Sequence, residues 1–88
     1  MQTHVKIYLD YFDYVTQEEI PCEACGRPAN DIHHIYGRGE GKDVIQNLMA
    51  LCRECHDRAT TSKNYVTPGE MQLIHNYFLQ GQRRVFLL

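Results

Sequence analysis

Residues 22–56 read CEACGRPANDIHHIYGRGEGKDVIQNLMALCRECH, so two Cys-x-x-Cys knuckles bracket a pair of adjacent histidines, and a further histidine directly follows the second knuckle. The two-residue gap in each knuckle lets both thiolates of a tight turn face one ion. Cys22, Cys25, Cys52 and Cys55 together make a tetrahedral sulfur set, for which zinc is the natural occupant. A disulfide framework with three connectivities and a redox Cys-x-x-Cys are the alternatives. The segment between the knuckles is longer than a simple hairpin turn needs, so it must fold as a unit of its own.

The chain has 88 residues, enough for one domain with a small core, and a chain of this size usually needs a staple. No apolar run approaches the length of a membrane span, and the N-terminus lacks the pattern of a secretory signal. The expected compartment is therefore cytoplasmic, where thiols stay reduced and metal is favoured over disulfide. The formal net charge of −2 argues against a generally basic nucleic-acid binder. Acidic residues concentrate in residues 1–25, whereas residues 26–66 are nearly balanced, so phosphate contacts must come from local placement.

Working outward from the central stretch, Asp31–Tyr36 reads as a short strand and GRGEGK as a glycine-rich loop. Leu48–Leu51 is an apolar run suited to a buried second strand, and Arg53–Thr61 has helix-compatible composition. Residues 4–15 fit both helical spacing (Val5, Tyr8, Leu9, Phe12, Val15) and strand alternation; helix is favoured, with Tyr8, Tyr11, Phe12 and Tyr14 as packing residues rather than base-stacking ones. Thr67-Pro68-Gly69-Glu70 is a capping box with proline at the first helical position, so a helix should begin there. It should bury Met71, Ile74, His75, Phe78 and Leu79 and stop at Gly81. His75 and His4 read as packing histidines.

His33 and His34 are neighbours on a strand and project in opposite directions, so they can serve different roles. In-line phosphodiester cleavage needs a base on one side of phosphorus and a cation on the other. A histidine pair at a strand end could meet that need, with His56 completing the cation site.

These residues resemble the HNH nuclease family in its zinc-knuckle subclass. The resemblance runs from Cys22 to about Thr61, with DIHHI matching the first-strand motif, NLMALC the asparagine and second strand, and CRECH the second knuckle with its terminal histidine. It implies an α+β fold, a zinc-stapled ββα-metal domain flanked here by N- and C-terminal helices, within a single domain spanning 1–88. It further implies His34 as general base, His33 and His56 as ligands of a catalytic divalent metal, and Asn47 as a brace of the loop that orients His34. DNA is the implied substrate, with 5′-phosphate and 3′-hydroxyl ends as products, and a phage or prophage origin is in keeping with small proteins of this type. Two positions depart from the family pattern. Thr60 stands where some members have a third histidine ligand, and His33 stands where many have Asp. Two imidazoles make a softer site, open to Mn²⁺, Ni²⁺, Co²⁺ or Zn²⁺ as well as Mg²⁺.

Arg38, Lys42, Arg53 and Arg58 are the candidates for phosphate contacts, Arg38 foremost. The apolar tail Val85-Phe86-Leu87-Leu88 either supports a homodimer or folds back on the core. The alternatives to a nuclease are a non-catalytic zinc module that binds nucleic acid or protein, and a protein-interaction scaffold built on the acidic, tyrosine-rich N-terminal segment and this tail.

Overall fold

A computed structural model describes residues 2–60 and 66–81. Helix α1 (Thr3–Phe12) is followed by strand β1 (Asp31–His34), a 3₁₀ turn at Ile45–Asn47, strand β2 (Leu48–Leu51), helix α2 (Arg53–Thr60) and helix α3 (Pro68–Leu79). The strands pair antiparallel, Asp31 opposite Leu51 and His34 opposite Leu48. The described residues thus form an α+β fold of three helices and a two-stranded sheet, and no helix among them is long and apolar enough to cross a membrane.

All four residues of β2 are buried because both faces of this small sheet are covered. Met49 and Leu51 pack with Cys22, Ala24, Cys55, Ala59, Met71 and Ile74, on the side of the knuckles, α2 and α3. Leu48 and Ala50 turn the other way, against Val5, Tyr8 and Leu9 of α1 and against Ile20 and Ile32. Successive strand residues point to opposite faces, and a strand covered on both sides reads as a continuous apolar run.

The first knuckle is tied to the sheet by main-chain bonds. Gly26, at φ 83°, closes the turn by donating its N–H to Cys22 O, and Glu23 N–H donates to Ala50 O. The second knuckle leads straight into α2, where His56 N–H already bonds to Cys52 O. Arg53 N–H, at the start of that helix, is capped by the side-chain oxygen of Asn30 at 2.8 Å.

Three local expectations need correction. Helix α1 ends at Phe12 rather than at residue 15, because Asp13 adopts the left-handed conformation (φ 60°) and Tyr14 N–H bonds back to Leu9 O. Such a cap reverses the chain, and short polar residues tolerate it. Val15 consequently lies outside the helix and is 82% exposed, and Tyr11 also faces solvent, so neither is a core residue. Strand β1 stops at His34, two residues before Tyr36, because the N–H of Tyr36 turns to the side chain of Asn47 instead of a partner strand.

Helix α3 starts as its sequence dictates. Thr67 Oγ1 accepts from Glu70 N–H at 3.2 Å and Glu70 Oε1 accepts from Thr67 N–H at 3.2 Å. Met71, Ile74, His75 and Phe78 are buried, and Gly81 follows at φ 79°. Thr61 and the tail 85–88, with the dimer expectation that rests on it, lie outside the described residues. Replacing the cap, Thr67→Ala, is expected to lower stability by about 1 kcal/mol. Urea unfolding followed by circular dichroism measures it, and an unchanged midpoint would show that the box adds nothing.

Candidate nuclease and metal centres

The four cysteine sulfurs converge, all lying within 4.8 Å of one another, with Cys25 Sγ and Cys52 Sγ 3.6 Å apart. Sulfurs bound tetrahedrally at about 2.3 Å to one zinc ion would be separated by about 3.8 Å, so the donor set fits such an ion. Their electrostatics point the same way. Burial pushes the thiols of Cys22 and Cys55 up from their ordinary value. Burial opposes ionisation of Cys25 too, but there the hydrogen bonds from the Arg27 guanidinium, the Arg27 backbone and the neighbouring Cys22 and Cys52 together outweigh it and bring the thiol down to about 6. Four thiols this close, three of them buried, cannot all ionise without a dication to neutralise them, and a bound cation reverses that preference.

Some distance along the sheet, the strand alternation separates His33 from His34. Asp31 and His33 share the face of β1 that meets α2, while Ile32 and His34 share the face that meets α1. Both histidines nevertheless line one cleft of about 490 Å³, together with Asp31, Arg38, His56 and His4. They can do so because β1 pairs only with β2 among the described residues, which leaves its outer edge open between the two faces.

On the α2 side, His33 Nδ1 and His56 Nε2 stand 3.1 Å apart. Two imidazole nitrogens bound at about 2.1 Å to one ion at a right angle would lie about 3 Å apart, so the pair fits a shared cation; without one, the same separation suits one ring donating to the other. Burial, with help from His56 and His34, lowers the His33 imidazole to about 4, which keeps it neutral near pH 7. Asp31 Oδ2 is buried without a hydrogen-bond partner, 3.3 Å from Nδ1 of His56 and 3.7 Å from Arg53 Nε. It therefore sits behind His56, on the nitrogen that faces away from His33, where its charge favours a proton on Nδ1 and so puts the lone pair on Nε2, the nitrogen that meets His33.

On the α1 side, buried His34 meets Asp43, Nε2 to Oδ1 at 2.7 Å. A carboxylate only accepts, so Nε2 carries the proton and the lone pair of Nδ1 remains to take another. His4 covers the His34 ring, centroid to centroid at 4.7 Å. Burial, His34 and Arg38 all lower its pKa.

Asn47 closes the loop between the strands. Its Oδ1 accepts from Tyr36 N–H at 2.8 Å, and its Nδ2 donates to Gly37 O at 3.2 Å and Lys42 O at 3.0 Å. Gly37, Gly39 and Gly41 all take positive φ, which lets this loop double back onto one amide.

Of the sequence candidates, the fold thus brings His33, His34, His56 and Arg38 to one cleft. Asn47 stands behind it as a brace. Arg53 is exposed at its margin, while Lys42 and Arg58 are not among the residues lining it. Sequence reasoning missed Asp43 and Asp31, and it took His4 for a packing residue without its contact to His34. No spacing rule links any of these to a histidine, since the contacts come from the loop's return and from the docking of α1.

A strand-edge histidine pair thus faces a helix histidine on a sheet held beside a four-cysteine cluster. Residues 22–62 match the family model described as HNH endonuclease, just under half of the chain. The four clustered cysteines fit the zinc-knuckle subclass. Such a domain supports a nuclease-type function in general terms and implies nucleic-acid binding. The chain is also similar to the uncharacterized protein YdfU of Escherichia coli (strain K12), 40% identical over 45 residues; the match covers 47% of this chain but only 13% of that protein. No solved structure matches the chain.

Stripping zinc with a strong chelator, or the change Cys52→Ser, is expected to abolish cooperative thermal unfolding, because so small a core hardly exceeds its ordering cost. Metal analysis with calorimetry checks this, and an intact transition in zinc-free protein would contradict it. In zinc-loaded protein without other divalent ions, the His33 ring should titrate near 4 by NMR. A midpoint at or above 6.5 would mean that burial does not govern it.

Proposed function

We propose that the protein is a metal-dependent DNA endonuclease that hydrolyses phosphodiester bonds at the cleft over the outer edge of β1. The observation that carries this reading is the division of labour around one strand: His34 with its carboxylate partner on one face, the His33–His56 pair on the other, both open to the same cleft. That is the arrangement an in-line displacement requires.

His34 is the general base. Asp43 keeps the proton on Nε2, so the lone pair of Nδ1 is the one that can take a proton from the attacking water. His4 packs on the ring and excludes solvent from that side. Asn47 holds the loop from which Asp43 reaches back. His33 and His56 hold a divalent cation, with Asp31 behind His56 to fix its tautomer. When bound, such an ion supplies Lewis-acid polarisation of the phosphate and offsets charge on the departing 3′-oxygen. Arg38 lines the cleft, where it can meet a phosphate. Arg53, Lys42 and Arg58 remain further candidates for phosphate contacts. The products would carry 5′-phosphate and 3′-hydroxyl ends. The four cysteines hold structural zinc and take no part in the chemistry.

Purified protein incubated with duplex, nicked, branched and single-stranded DNA across Mg²⁺, Mn²⁺, Ni²⁺, Co²⁺ and Zn²⁺ tests the activity and its metal. His34→Ala should lose about a hundred- to ten-thousandfold in rate while keeping its fold and zinc. His56→Ala should in addition lose affinity for manganese in titration calorimetry. Cleavage by His34→Ala at the wild-type rate would reject the base assignment, and equal manganese affinity in His56→Ala would reject the ligand assignment.

A further inference from the structure

Helix α3 follows the HNH stretch in sequence, yet it grips the turn on which the proposed base depends. His75 is completely buried, and its Nε2 donates to Ile45 O at 2.7 Å. One turn earlier, Gln72 Nε2 donates to Gln46 O at 2.9 Å. These are successive carbonyls of the three-residue turn Ile45–Asn47, which closes on itself when Leu48 N–H bonds to Ile45 O. Asp43, the partner of His34, lies two residues before that turn, and Asn47, the brace of the loop, is its last residue.

Neither donor is free to drift. His75 Nδ1 is bound at 2.6 Å to Oε1 of Glu23, which is equally buried and sits between the cysteines of the first knuckle. The other oxygen of Glu23 accepts from the hydroxyl of Tyr8 on α1 and from Ala50 N–H of β2. The remaining hydrogen of the Gln72 amide goes to Asn76 Oδ1 at 2.9 Å. Covering the turn would take only apolar side chains. Two directional donors, each anchored from behind, fix where its carbonyls sit.

We infer that His75 and Gln72 are positioning residues for His34: by holding the Ile45 and Gln46 carbonyls they set the turn that presents Asp43 and Asn47 to the base. This rests on the reading of His34 as general base. The chain of contacts is His75 and Gln72 to the turn, the turn to Asp43 and Asn47, and Asp43 to the ring of His34. A displacement of about 1 Å at a reacting group far from the altered residue costs up to about a hundredfold in rate. The clamp therefore acts on turnover rather than on DNA affinity.

The test uses the full chain, zinc-loaded, cutting duplex DNA with manganese. Gln72→Glu keeps the size of the side chain but removes the donor, and it disturbs no buried group. It should lower kcat about three- to tenfold with KM unchanged, and His75→Gln should lower it about ten- to a hundredfold. Gln72→Lys, which keeps a donor, should restore most of the rate. In an Asp43→Asn background Gln72→Glu should add little, because the two changes break the same chain of contacts. The His34 ring signals in NMR should move in Gln72→Glu. Wild-type kcat in folded Gln72→Glu, or a loss of the same size with and without Asp43→Asn, would overturn the inference. If His34→Ala itself cuts normally, it is the base assignment that has failed. The clamp is then judged by the His34 ring signals, which overturn it if they stay unmoved in Gln72→Glu; should His75→Gln fail to fold, the Gln72 variants decide alone.

Discussion

Convergence of four sulfurs from two distant knuckles is the constraint on which the rest of the structure depends. Neutral thiols crowded together would gain little, and four thiolates would repel one another. A dication turns the same cluster into the strongest tie in the chain. With the knuckles joined, the segment between them must leave and return within a short span, and the antiparallel pair β1–β2 is the way it does so. The second knuckle also fixes where α2 begins, and hence where His56 stands relative to β1.

From that tie follows the layout of the cleft. A strand sends neighbouring side chains to opposite faces, which would normally separate two adjacent histidines beyond common use. An open strand edge lets both reach one cavity from different sides. Each side of the cleft then has a histidine with a carboxylate beside it, Asp43 at His34 and Asp31 at His56, though the two contacts differ in kind. The first is a short, aligned hydrogen bond that fixes a tautomer. The second is longer and leaves Asp31 Oδ2 unpartnered, so it acts through charge.

The flanking helices are more than covers for the small sheet. Helix α1 supplies Leu9 and Val5 to one face, and it also brings His4 onto the His34 ring and the Tyr8 hydroxyl to Glu23. Helix α3 supplies Met71 and Ile74 to the other face and meets the same Glu23 through His75. A carboxylate and an imidazole buried without partners would be strongly destabilising. Here every polar atom of the pair has a partner, so the network fixes the relative placement of α1, the first knuckle, β2 and α3.

Much of this was legible in the residues taken in order. Cys-x-x-Cys spacing, the capping box at Thr67, the apolar run Leu48–Leu51 and the glycine-rich loop are local patterns whose meaning does not depend on what else the chain does. They gave the α+β class, the sulfur cluster, the two strands and the start of α3. The histidine candidates followed from the resemblance these patterns carry. What sequence alone misjudged was likewise local in appearance: the end of α1 turned on a left-handed aspartate, and the end of β1 on a side chain that took the backbone's hydrogen bond. Asp43 behind His34, Asp31 behind His56, His4 on the His34 ring and the Glu23–His75 pair, 52 residues apart, were decided only by the tertiary structure. Each of these is a contact between a buried polar group and a distant partner. Spacing sets which residues share a face, whereas the pairing of buried polar groups is settled only once packing has excluded water and left each one few neighbours to bond.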